Sequence, residues 1–371
     1  MARERFSSPG MTFFRRPADK PEGMLFDTRQ ADAGLPVASR PGPAPVAGAP
    51  SPKAIWISWE RHRRTRELAE AFGASLFEIT APGGAVARYA RLLVRTARLL
   101  ARERPELLII QCPSIVLAVW AIVLRPVGRY TLVADLHNEA VEPFNYSFRL
   151  YRLVLRWIQR AADVSLVTNA ALQSVVASAG GRALVLPDKV PAVARAVPSS
   201  GRSQPLVVFI CTYAADEPYL DVIEAARLLD PAIRVHVTGN AGARAAGLPP
   251  LPANVVLTGF LPEDAYVALL RDADVLIDLT RMENCLVCGA YEAVALGKPL
   301  VTSDTQALRA YFTRGAIYTR HDPESLAAAV GEALWRKDAL AAEMIALRRE
   351  LDDDWNVRHE DVRRVLDMGA R

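Results

Sequence analysis

The stretch DVLIDLTRMENCLVCGAYEAVALGKPLVTSD, residues 274–304, decides the fold of this chain. Residues 275–279 form a short β-rich apolar run that ends in a polar loop, as a buried strand does. A helical pattern then runs through Glu292, and the Gly-Lys-Pro turn at 297–299 leads into a second apolar run at 300–303. Strand, helix and strand in this order predict one unit of a parallel sheet.

The same alternation extends in both directions from this unit. The expected strands read AIWISW, SLFEI, ELLIIQC, YTLVADL and VSLVTN before residue 192, and PLVVFIC, IRVHVTG, NVVLTG, DVLIDLT and PLVTSD after residue 204. Helical runs separate most of them. The pattern predicts an α/β protein of two Rossmann-like halves, each a doubly wound parallel sheet.

Length and composition divide the chain into five segments. A chain of 371 residues is long enough for two domains with a core each. Residues 1–52 are rich in Pro, Ala, Gly and Ser and predict a disordered extension. The two halves span 53–191 and 205–345, and the breaker-rich stretch AVARAVPSSGRSQ at 192–204 predicts the linker between them. The last segment, 346–371, is helical by pattern and is expected to pack back on the first half.

Several classes of protein are disfavoured by the composition. The longest apolar run, Ile115–Leu124, is about half as long as a helix needs to cross a bilayer of roughly 30 Å. The polar N-terminus has no secretory signal, so we expect a cytoplasmic protein with its four cysteines reduced. Cys285 and Cys288 form a C-x-x-C pair without further ligands at metal spacing, and we therefore expect no metal site.

Four loops at predicted strand ends of the second half are candidates for ligand binding. In open α/β sheets, ligands bind beyond the carboxyl ends of the strands, where helix N-termini and backbone amides converge. These loops are at 211–213, 239–242, 259–262 and 280–284. The residues that we select from the middle two as candidates for binding a nucleotide are Gly239, Asn240, Phe260 and Leu261. The glycines at 239 and 242 fit an ordinary turn equally well.

Residues 274–304 resemble the core signature of retaining enzymes of glycosyltransferase family 4. In that family a strand ends in a loop with an acidic residue, the next helix carries a second glutamate, and a Gly-x-Pro turn follows. The resemblance implies the GT-B architecture, in which two Rossmann-like domains face each other across a cleft. It further implies a nucleotide-sugar donor, UDP- or GDP-linked, in the second domain and an acceptor in the first.

Of the family's two carboxylates, the second has a match in this sequence and the first is displaced. Glu292, followed by AVALGKP, matches the second one, which binds the nucleotide ribose in the family. The first, which faces the donor sugar, is displaced, because Glu283 lies nine positions before Glu292 and Asn284 lies eight. Either Glu283 still points into the cleft as a catalytic carboxylate or Asn284 has taken its place. The alternative without function is a pair of solvated glutamates.

A second departure concerns the donor phosphates. Family members place an Arg and a Lys in the loop after the first strand of the second domain, whereas CTYAADEPYLD at 211–221 has no basic residue. Arg281 and the amides ahead of the following helix are the nearest substitutes. Arg281 is therefore our candidate for phosphate binding.

The first half offers two groups of residues for the acceptor side. The segment YTLVADLHNEAVEP at 130–143 resembles the family's Asp-x-His segment and is expected to place its polar residues on the cleft. His137 would bind donor-sugar hydroxyls, and Glu139 would accept the acceptor's proton if the enzyme inverts. The polar residues of this segment are Asp135, His137, Asn138 and Glu139. The second group is Glu60, His62, Arg63 and Arg64. Its arginines suit an anionic acceptor such as a lipid pyrophosphate, and the alternative is that these residues are the solvated start of a helix.

Two arginine stripes at helical spacing mark the first half. Residues 53–204 contain 21 basic and 11 acidic residues, whereas residues 205–330 contain 9 and 15. The stripes are Arg88, Arg91, Arg95, Arg98 and Arg102 on one predicted helix and Arg149, Arg152, Arg156 and Arg160 on another. Both would suit an anionic membrane surface, and both could equally present arginines to water while packing on the sheet.

These patterns together predict a nucleotide-sugar-dependent glycosyltransferase. We expect a metal-independent, retaining enzyme without a cofactor, which acts on a lipid-linked or cell-envelope glycan acceptor at the inner face of the membrane. A non-catalytic GT-B-like binding or assembly subunit is the alternative that the missing basic residues after Val208 favour. A nucleic-acid-binding role for the stripes is the weakest alternative, because no recognised motif accompanies them.

Overall fold

The structure, a computed structural model, describes residues 53–112, 114–144, 148–193 and 204–369. The predicted disordered extension and residues 194–203 of the predicted linker lie outside this part of the chain. Among the described residues, no helix combines the length and the apolarity that crossing a membrane requires.

The first domain is a six-stranded parallel sheet with helices on both faces. Its strands are β1 (Ala54–Ser58), β2 (Ser75–Glu78), β3 (Leu107–Cys112), β4 (Thr131–Leu136), β5 (Val164–Val167) and β6 (Ala183–Val185), in the order β2-β1-β3-β4-β5-β6. Its helices are α1 (Arg63–Ala71), α2 (Ala85–Glu103), α3 (Ile115–Gly128), α4 (Asn138–Val141), α5 (Arg149–Ala161) and α6 (Ala170–Ser178). Every residue of β3 is buried, because this strand is covered on both faces.

The second domain repeats the design with a different strand order. Its strands are β7 (Leu206–Phe209), β8 (Arg234–Thr238), β9 (Val255–Gly259), β10 (Val275–Asp278), β11 (Leu300–Ser303) and β12 (Ala316–Thr319), in the order β12-β11-β10-β7-β8-β9. Its helices are α7 (Tyr219–Leu228), α8 (Glu263–Asp272), α9 (Cys288–Leu296), α10 (Gln306–Tyr311), α11 (Pro323–Trp335) and α12 (Lys337–Gly369). The prediction of two doubly wound α/β halves is thus confirmed.

The strand orders locate where a ligand can bind in each domain. The chain reverses direction across the first sheet between β1 and β3, and across the second between β7 and β10. At such a point the two adjoining loops leave on opposite faces and open a crevice at the carboxyl ends of the strands. The crevices are therefore lined by the loop after β1 in the first domain and by the loops after β7 and β10 in the second.

Helix α12 packs on both domains. Its first half buries Leu340, Met344, Leu347 and Leu351 in the second domain. Its second half buries Trp355, Val362 and Leu366 against the first sheet. The indole of Trp355 donates a hydrogen bond to the carbonyl oxygen of Pro187 at 3.1 Å. This one helix therefore connects the two domains.

Candidate active site

Polar contacts join the carboxyl edges of the two sheets. Arg63 at the start of α1 lies with Nη1 3.3 Å from Oε1 of Glu292 on α9. The Asn284 side chain donates to Oε2 of Glu142 at 2.6 Å, and the Asn169 side chain donates to the Asn284 carbonyl at 2.9 Å. These contacts join the loop after β10 and helix α9 to the first domain, so the candidate site lies between the domains.

Glu292 is a charged residue on a helix that is buried over most of its length. Its neighbours from Gly289 to Tyr291 and from Ala293 to Leu296 are all buried, because α9 packs between the second sheet and α12. The Glu292 carboxylate accepts hydrogen bonds from the Tyr266 hydroxyl at 2.6 Å and from Arg63. Burial raises the pKa of Glu292, and the bonds from Tyr266 and Arg63 oppose that rise. The result is a carboxylate with both oxygens directed at donors, one of them from the other domain.

Glu283 and Asn284 point in different directions. Helix α9 begins only at Cys288, so both residues lie in the loop before it. Oε1 of the exposed Glu283 accepts from the backbone amide of Gln306 at 3.0 Å and thus caps the start of α10. Asn284 faces the first domain through Glu142. Of the two candidates for the displaced first position, Asn284 is the one at the interdomain contact.

Arg281, the predicted phosphate ligand, is paired within its own domain. Its Nη2 lies 2.6 Å from Oδ2 of Asp221 on α7, and its backbone amide donates to the carbonyl oxygen of Asp216. Its guanidinium is 44% exposed. A phosphate at this position would have to compete with the Asp221 carboxylate.

The residues predicted near a nucleotide have mostly local roles in the structure. Gly239 has φ +83°, and a Cβ there would lie 2.1 Å from the Cys211 carbonyl oxygen, so close backbone packing requires this glycine. Asn240 accepts from the amide of Gly242 at 2.9 Å in a turn. Phe260 is 54% exposed and Leu261 is half-buried, both in the loop between β9 and α8.

Two predicted cleft residues of the first domain are buried and have a structural role instead. Asp135 lies within β4 and is fully buried, and it accepts from Nε and Nη2 of Arg64 at 3.0 and 2.9 Å. Arg64 is 3% exposed and also contacts Asp188 at 2.6 Å. Burial alone would raise the pKa of Asp135, but Arg64 and His137 hold it well below its ordinary value. The prediction that Asp135 and Arg64 face a ligand is therefore wrong.

Two imidazoles adjoin this buried pair. Nε2 of His137 lies 3.5 Å from Oδ2 of Asp135, and the His137 ring meets the His62 ring edge-on at 4.7 Å between centroids. Burial, with His137 nearby, lowers the pKa of His62 to about 4. Nδ1 of His62 and Nε2 of His137 have no hydrogen-bond partner in the part of the chain that the structure describes. Glu139, on α4, is exposed.

Several residues of the site were not predicted from the sequence. Tyr266 and Asn169 carry no motif, and only the packing of α8 and α6 beside the cleft brings them to Glu292 and Asn284. Glu142 lies in the quoted segment at 130–143 but three residues beyond Glu139. The N-cap role of Asn169, whose Oδ1 accepts from the Leu172 amide, is the one local signal that could have marked it.

The two arginine stripes differ in how many of their members are engaged. On α2, Arg91 and Arg95 each donate at 2.6 Å to carbonyl oxygens of the loop before the helix. On α5, Arg160 donates to the Ala179 carbonyl oxygen. No partner is found among the described residues for the three others on α5, which are Arg149, Arg152 and Arg156. Exposed apolar side chains alternate with them, 59% exposed at Leu150 and Leu153 and 43% at Trp157.

Among the described residues, no group of three or more His, Cys, Asp or Glu side chains is placed to hold a metal ion. Cys285 is half-buried and Cys288 is exposed, and both are free thiols.

Comparison with known proteins finds one family model that the second domain matches. Residues 204–335 match the model of glycosyl transferases group 1. Among curated proteins, none matches this chain.

The fold resembles several solved glycosyltransferase structures at low sequence identity. HepE from Anabaena, solved with UDP and glucose, is 16% identical over 81% of this chain and 88% of its own, with a TM-score of 0.64. Sucrose-phosphate synthase from Thermosynechococcus elongatus is 13% identical over 84% and 94%, also with a TM-score of 0.64. TarM from S. aureus, solved with UDP, α-GlcNAc-glycerol and fondaparinux, is 15% identical over 74% and 58%, with a TM-score of 0.58.

Proposed function

We propose that this chain is a glycosyltransferase with the GT-B fold, whose second domain binds a nucleotide-sugar and whose first domain binds the acceptor. One observation carries this assignment. Glu292 is a charged residue on a helix that is buried over most of its length, and it is directed across the interdomain cleft at Arg63. A carboxylate in that place can accept both hydroxyls of a ribose.

For the donor, we propose that Glu292 holds the ribose and that the loop with Phe260 and Leu261 lies against the base. The Tyr266 hydroxyl fixes one Glu292 oxygen at 2.6 Å, and Arg63 lies farther from the other at 3.3 Å. A ribose would therefore displace Arg63 rather than Tyr266. UDP in the HepE and TarM structures makes UDP-sugars the first donors to test, before GDP-sugars.

For the reaction, we propose that His137 binds hydroxyls of the transferred sugar. The His137 side chain is 21% exposed, and its Nε2 lies 3.5 Å from Oδ2 of the buried Asp135. A sugar hydroxyl would contact the exposed part of this ring. We further propose a metal-independent reaction with retention of configuration, and retention is supported by the resemblance of residues 274–304 alone.

For the acceptor, we propose a lipid-linked or cell-envelope glycan reached from the cytoplasmic side of a membrane. Three arginines of α5, for which no partner is found in the described part of the chain, are interleaved with the exposed Leu150, Leu153 and Trp157. Such a face suits anionic head groups and the apolar layer just beneath them. The chain would then be a peripheral membrane protein that works close to its acceptor.

The test of donor binding is a thermal-shift screen with UDP-, GDP-, dTDP- and ADP-sugars on the wild type and on Glu292→Gln. We expect one nucleotide to raise the melting temperature saturably, because a ligand at a hundred times its Kd stabilises by roughly 2.7 kcal/mol. Glu292→Gln should lose most of that rise. Glu263→Gln, an equal loss of charge at an exposed position on α8, is the matched control and should keep it.

The alternative, a non-catalytic GT-B-like subunit, is favoured by the pairing of Arg281 with Asp221 and by the capping role of Glu283. Nucleotide binding without sugar transfer or donor hydrolysis would support it. No response to any of the four nucleotide-sugars, in a sample that unfolds cooperatively, would exclude the donor assignment.

A further inference from the structure

The loop after β7 wraps around a carboxylate of its own chain. The Glu217 carboxylate accepts from the backbone amides of Thr212 and Ala214, both at 2.9 Å, through Oε2. Its Oε1 accepts from the Thr212 hydroxyl at 2.8 Å, and the Cys211 thiol lies 3.3 Å from Oε2. Four donors therefore converge on one anionic group.

The backbone of this loop directs two amides at Glu217, those of Thr212 and Ala214. Tyr213 between them adopts φ +58°, which is uncommon for a residue with a side chain, and its own amide donates to the Cys211 sulfur at 3.2 Å. We call the two amides that reach Glu217, together with the Thr212 hydroxyl, the nest. Tyr213 is fully buried, so packing of its ring holds the unusual conformation. Burial raises the pKa of Glu217, and the bonds from Thr212 and Ala214 oppose that rise, as donors to an ionised carboxylate do. The nest is thus a preformed anion site that Glu217 fills.

This nest lies where a nucleotide's phosphates are expected to bind. It follows β7, one of the two strands at which the order of the second sheet reverses. The other candidate at this crevice, the start of α9, also has a carboxylate on it, because the Gly289 amide donates to Oδ2 of buried Asp278 at 2.6 Å. Arg281, the nearby cation, is paired with Asp221. Burial raises the pKa of Asp278 well above its ordinary value, so its contact with Gly289 is that of a buried carboxyl group. Each of these donor sets therefore already has an acidic side chain of the chain as its partner.

We infer that Glu217 is a specificity-determining residue, an internal anion that occupies the diphosphate position and weakens the binding of a free nucleoside diphosphate. The inference rests on the proposed function for the identity of the natural ligand. The donor would then be held mainly by its nucleoside and its sugar. A nucleoside diphosphate left after transfer would gain little from this loop, which favours its release.

The test uses inorganic pyrophosphate as a probe that needs no base, with calorimetry on the full chain. Replacing Glu217 empties the nest while its amide donors stay in place. We expect Glu217→Ala to bind pyrophosphate at least tenfold more tightly than the wild type. Glu224→Ala, an equal loss of charge on α7 at a residue paired with exposed Arg227, should bind it as the wild type does.

Glu217→Gln provides a second variant if the alanine variant does not unfold cooperatively. Its amide can still accept one loop hydrogen bond, so the loop retains support while the negative charge is lost. A gain in pyrophosphate affinity in either folded variant supports the inference. Unchanged affinity in a folded variant, or an equal gain in Glu224→Ala, overturns it.

A second arm separates this inference from the proposed function. Uridine and UDP are compared in the wild type and in Glu217→Gln, with the guanosine pair in parallel. We expect the wild type to bind nucleoside and nucleoside diphosphate within about threefold, and the variant to prefer the diphosphate by tenfold or more. If nucleosides bind but this preference does not change, the role of Glu217 is wrong. If no nucleoside binds while the affinity for pyrophosphate still rises, the donor assignment is wrong and the role of Glu217 as an internal anion is supported.

Discussion

At the scale of single residues, Arg64 and Arg66 lie two positions apart on α1, and each donates hydrogen bonds from two nitrogens to one carboxylate. Arg64 does so while 3% exposed, against the fully buried Asp135. Arg66 does so while 50% exposed, against Glu78, with both bonds at 2.9 Å. Removing Arg64 should therefore affect stability much more than removing Arg66, because only the buried Asp135 carboxylate would be left without a partner and without solvent.

We expect Arg64→Met to lower the free energy of unfolding by about 3–5 kcal/mol, since removing one partner of a buried pair strands the other's charge. Arg66→Met should cost about 0–1 kcal/mol, as exposed ion pairs do. Urea unfolding at neutral pH measures both. Equal losses in the two variants would show that burial of Asp135 does not set the strength of the Arg64 pair.

His62 makes the stability of the folded chain depend on pH. Its pKa is lowered from 6.5 to about 4 by burial and by His137, so between these values the unfolded chain binds a proton that the folded chain does not. Stability therefore falls as the pH drops from about 7 to 4, by up to about 3 kcal/mol from this group. His62→Gln should flatten that part of the profile. Thermal unfolding from pH 7.5 to 4 checks this, and parallel profiles of the two proteins would refute it.

The sequence located some residues of the site and misassigned others for a physical reason. Glu292 could be placed because it lies on a helix whose register is tied to the turn at 297–299. Asp135 and Arg64 could not, because their pairing joins α1 to β4 across 71 positions and depends on which side of the sheet each side chain faces. A polar residue at a strand end has the same local pattern whether it meets a ligand or a buried arginine.

At the scale of secondary-structure elements, α5 leaves large apolar side chains exposed, as α2 and α3 also do. On α5, Leu155, Ile158 and Gln159 are buried on one side, whereas Leu150, Leu153 and Trp157 recur at spacings of three and four on the outside. The arginines between them make the face both basic and apolar, which favours a membrane interface.

We expect the protein to bind vesicles of phosphatidylglycerol and phosphatidylcholine and not vesicles of phosphatidylcholine alone. Arg152→Gln and Arg156→Gln should each weaken binding about fivefold, since a basic residue near an anionic surface contributes about 1 kcal/mol. Leu153→Ser should weaken it as well by removing apolar contact. Flotation assays measure all three.

The matched control for this surface is Arg91→Gln on α2, whose guanidinium already bonds the carbonyl oxygen of Pro82. It removes the same charge from the other stripe and should change vesicle binding less than Arg152→Gln does. If both variants bind equally well, or if neutral vesicles bind as tightly as anionic ones, α5 is not the membrane face.

The periodic pattern predicted elements well where they are long or buried and less well where they are short. The strands that were expected are found within one or two residues of their predicted positions. Strands β6 and β12, of three and four residues, were not predicted, because both are edge strands and only partly buried. The start of α9 could not be placed from the sequence, since residues 283–287 have no breaker to separate the loop from the helix.

At the scale of the whole molecule, the two domains depend on α12 for their connection. The polar contacts across the cleft are few, and each involves side chains that a ligand could displace, as at Arg63 and Glu292. Helix α12 instead runs through buried apolar surface of both domains over 33 residues. The sequence indicated a terminal helix that could cross both halves, but the angle between the domains depends on side-chain packing that periodicity does not encode.

Trp355 lies where helix α12 contacts the first domain. It is 4% exposed, stacks on His359 at 4.9 Å, and has the Lys189 ammonium 5.1 Å from its ring centroid. Trp335, at the end of α11, is 85% exposed and provides a control of the same residue type. Substituting each tryptophan in turn therefore separates the loss of the α12 contact from the loss of an indole side chain.

We expect Trp355→Ala to destabilise the protein by about 3–5 kcal/mol, as large-to-small changes at buried aromatic sites do, and Trp335→Ala to stay within about 0.5 kcal/mol of the wild type. Because the lost contact is on the first domain alone, calorimetry should resolve two transitions in Trp355→Ala, with the second domain melting near the wild-type temperature. Small-angle scattering below the first transition should report a larger radius of gyration than in the Trp335→Ala control. A single cooperative transition with an unchanged radius would mean that the contacts across the cleft, from Arg63 to Glu292 and from Asn284 to Glu142, hold the domains together without the helix.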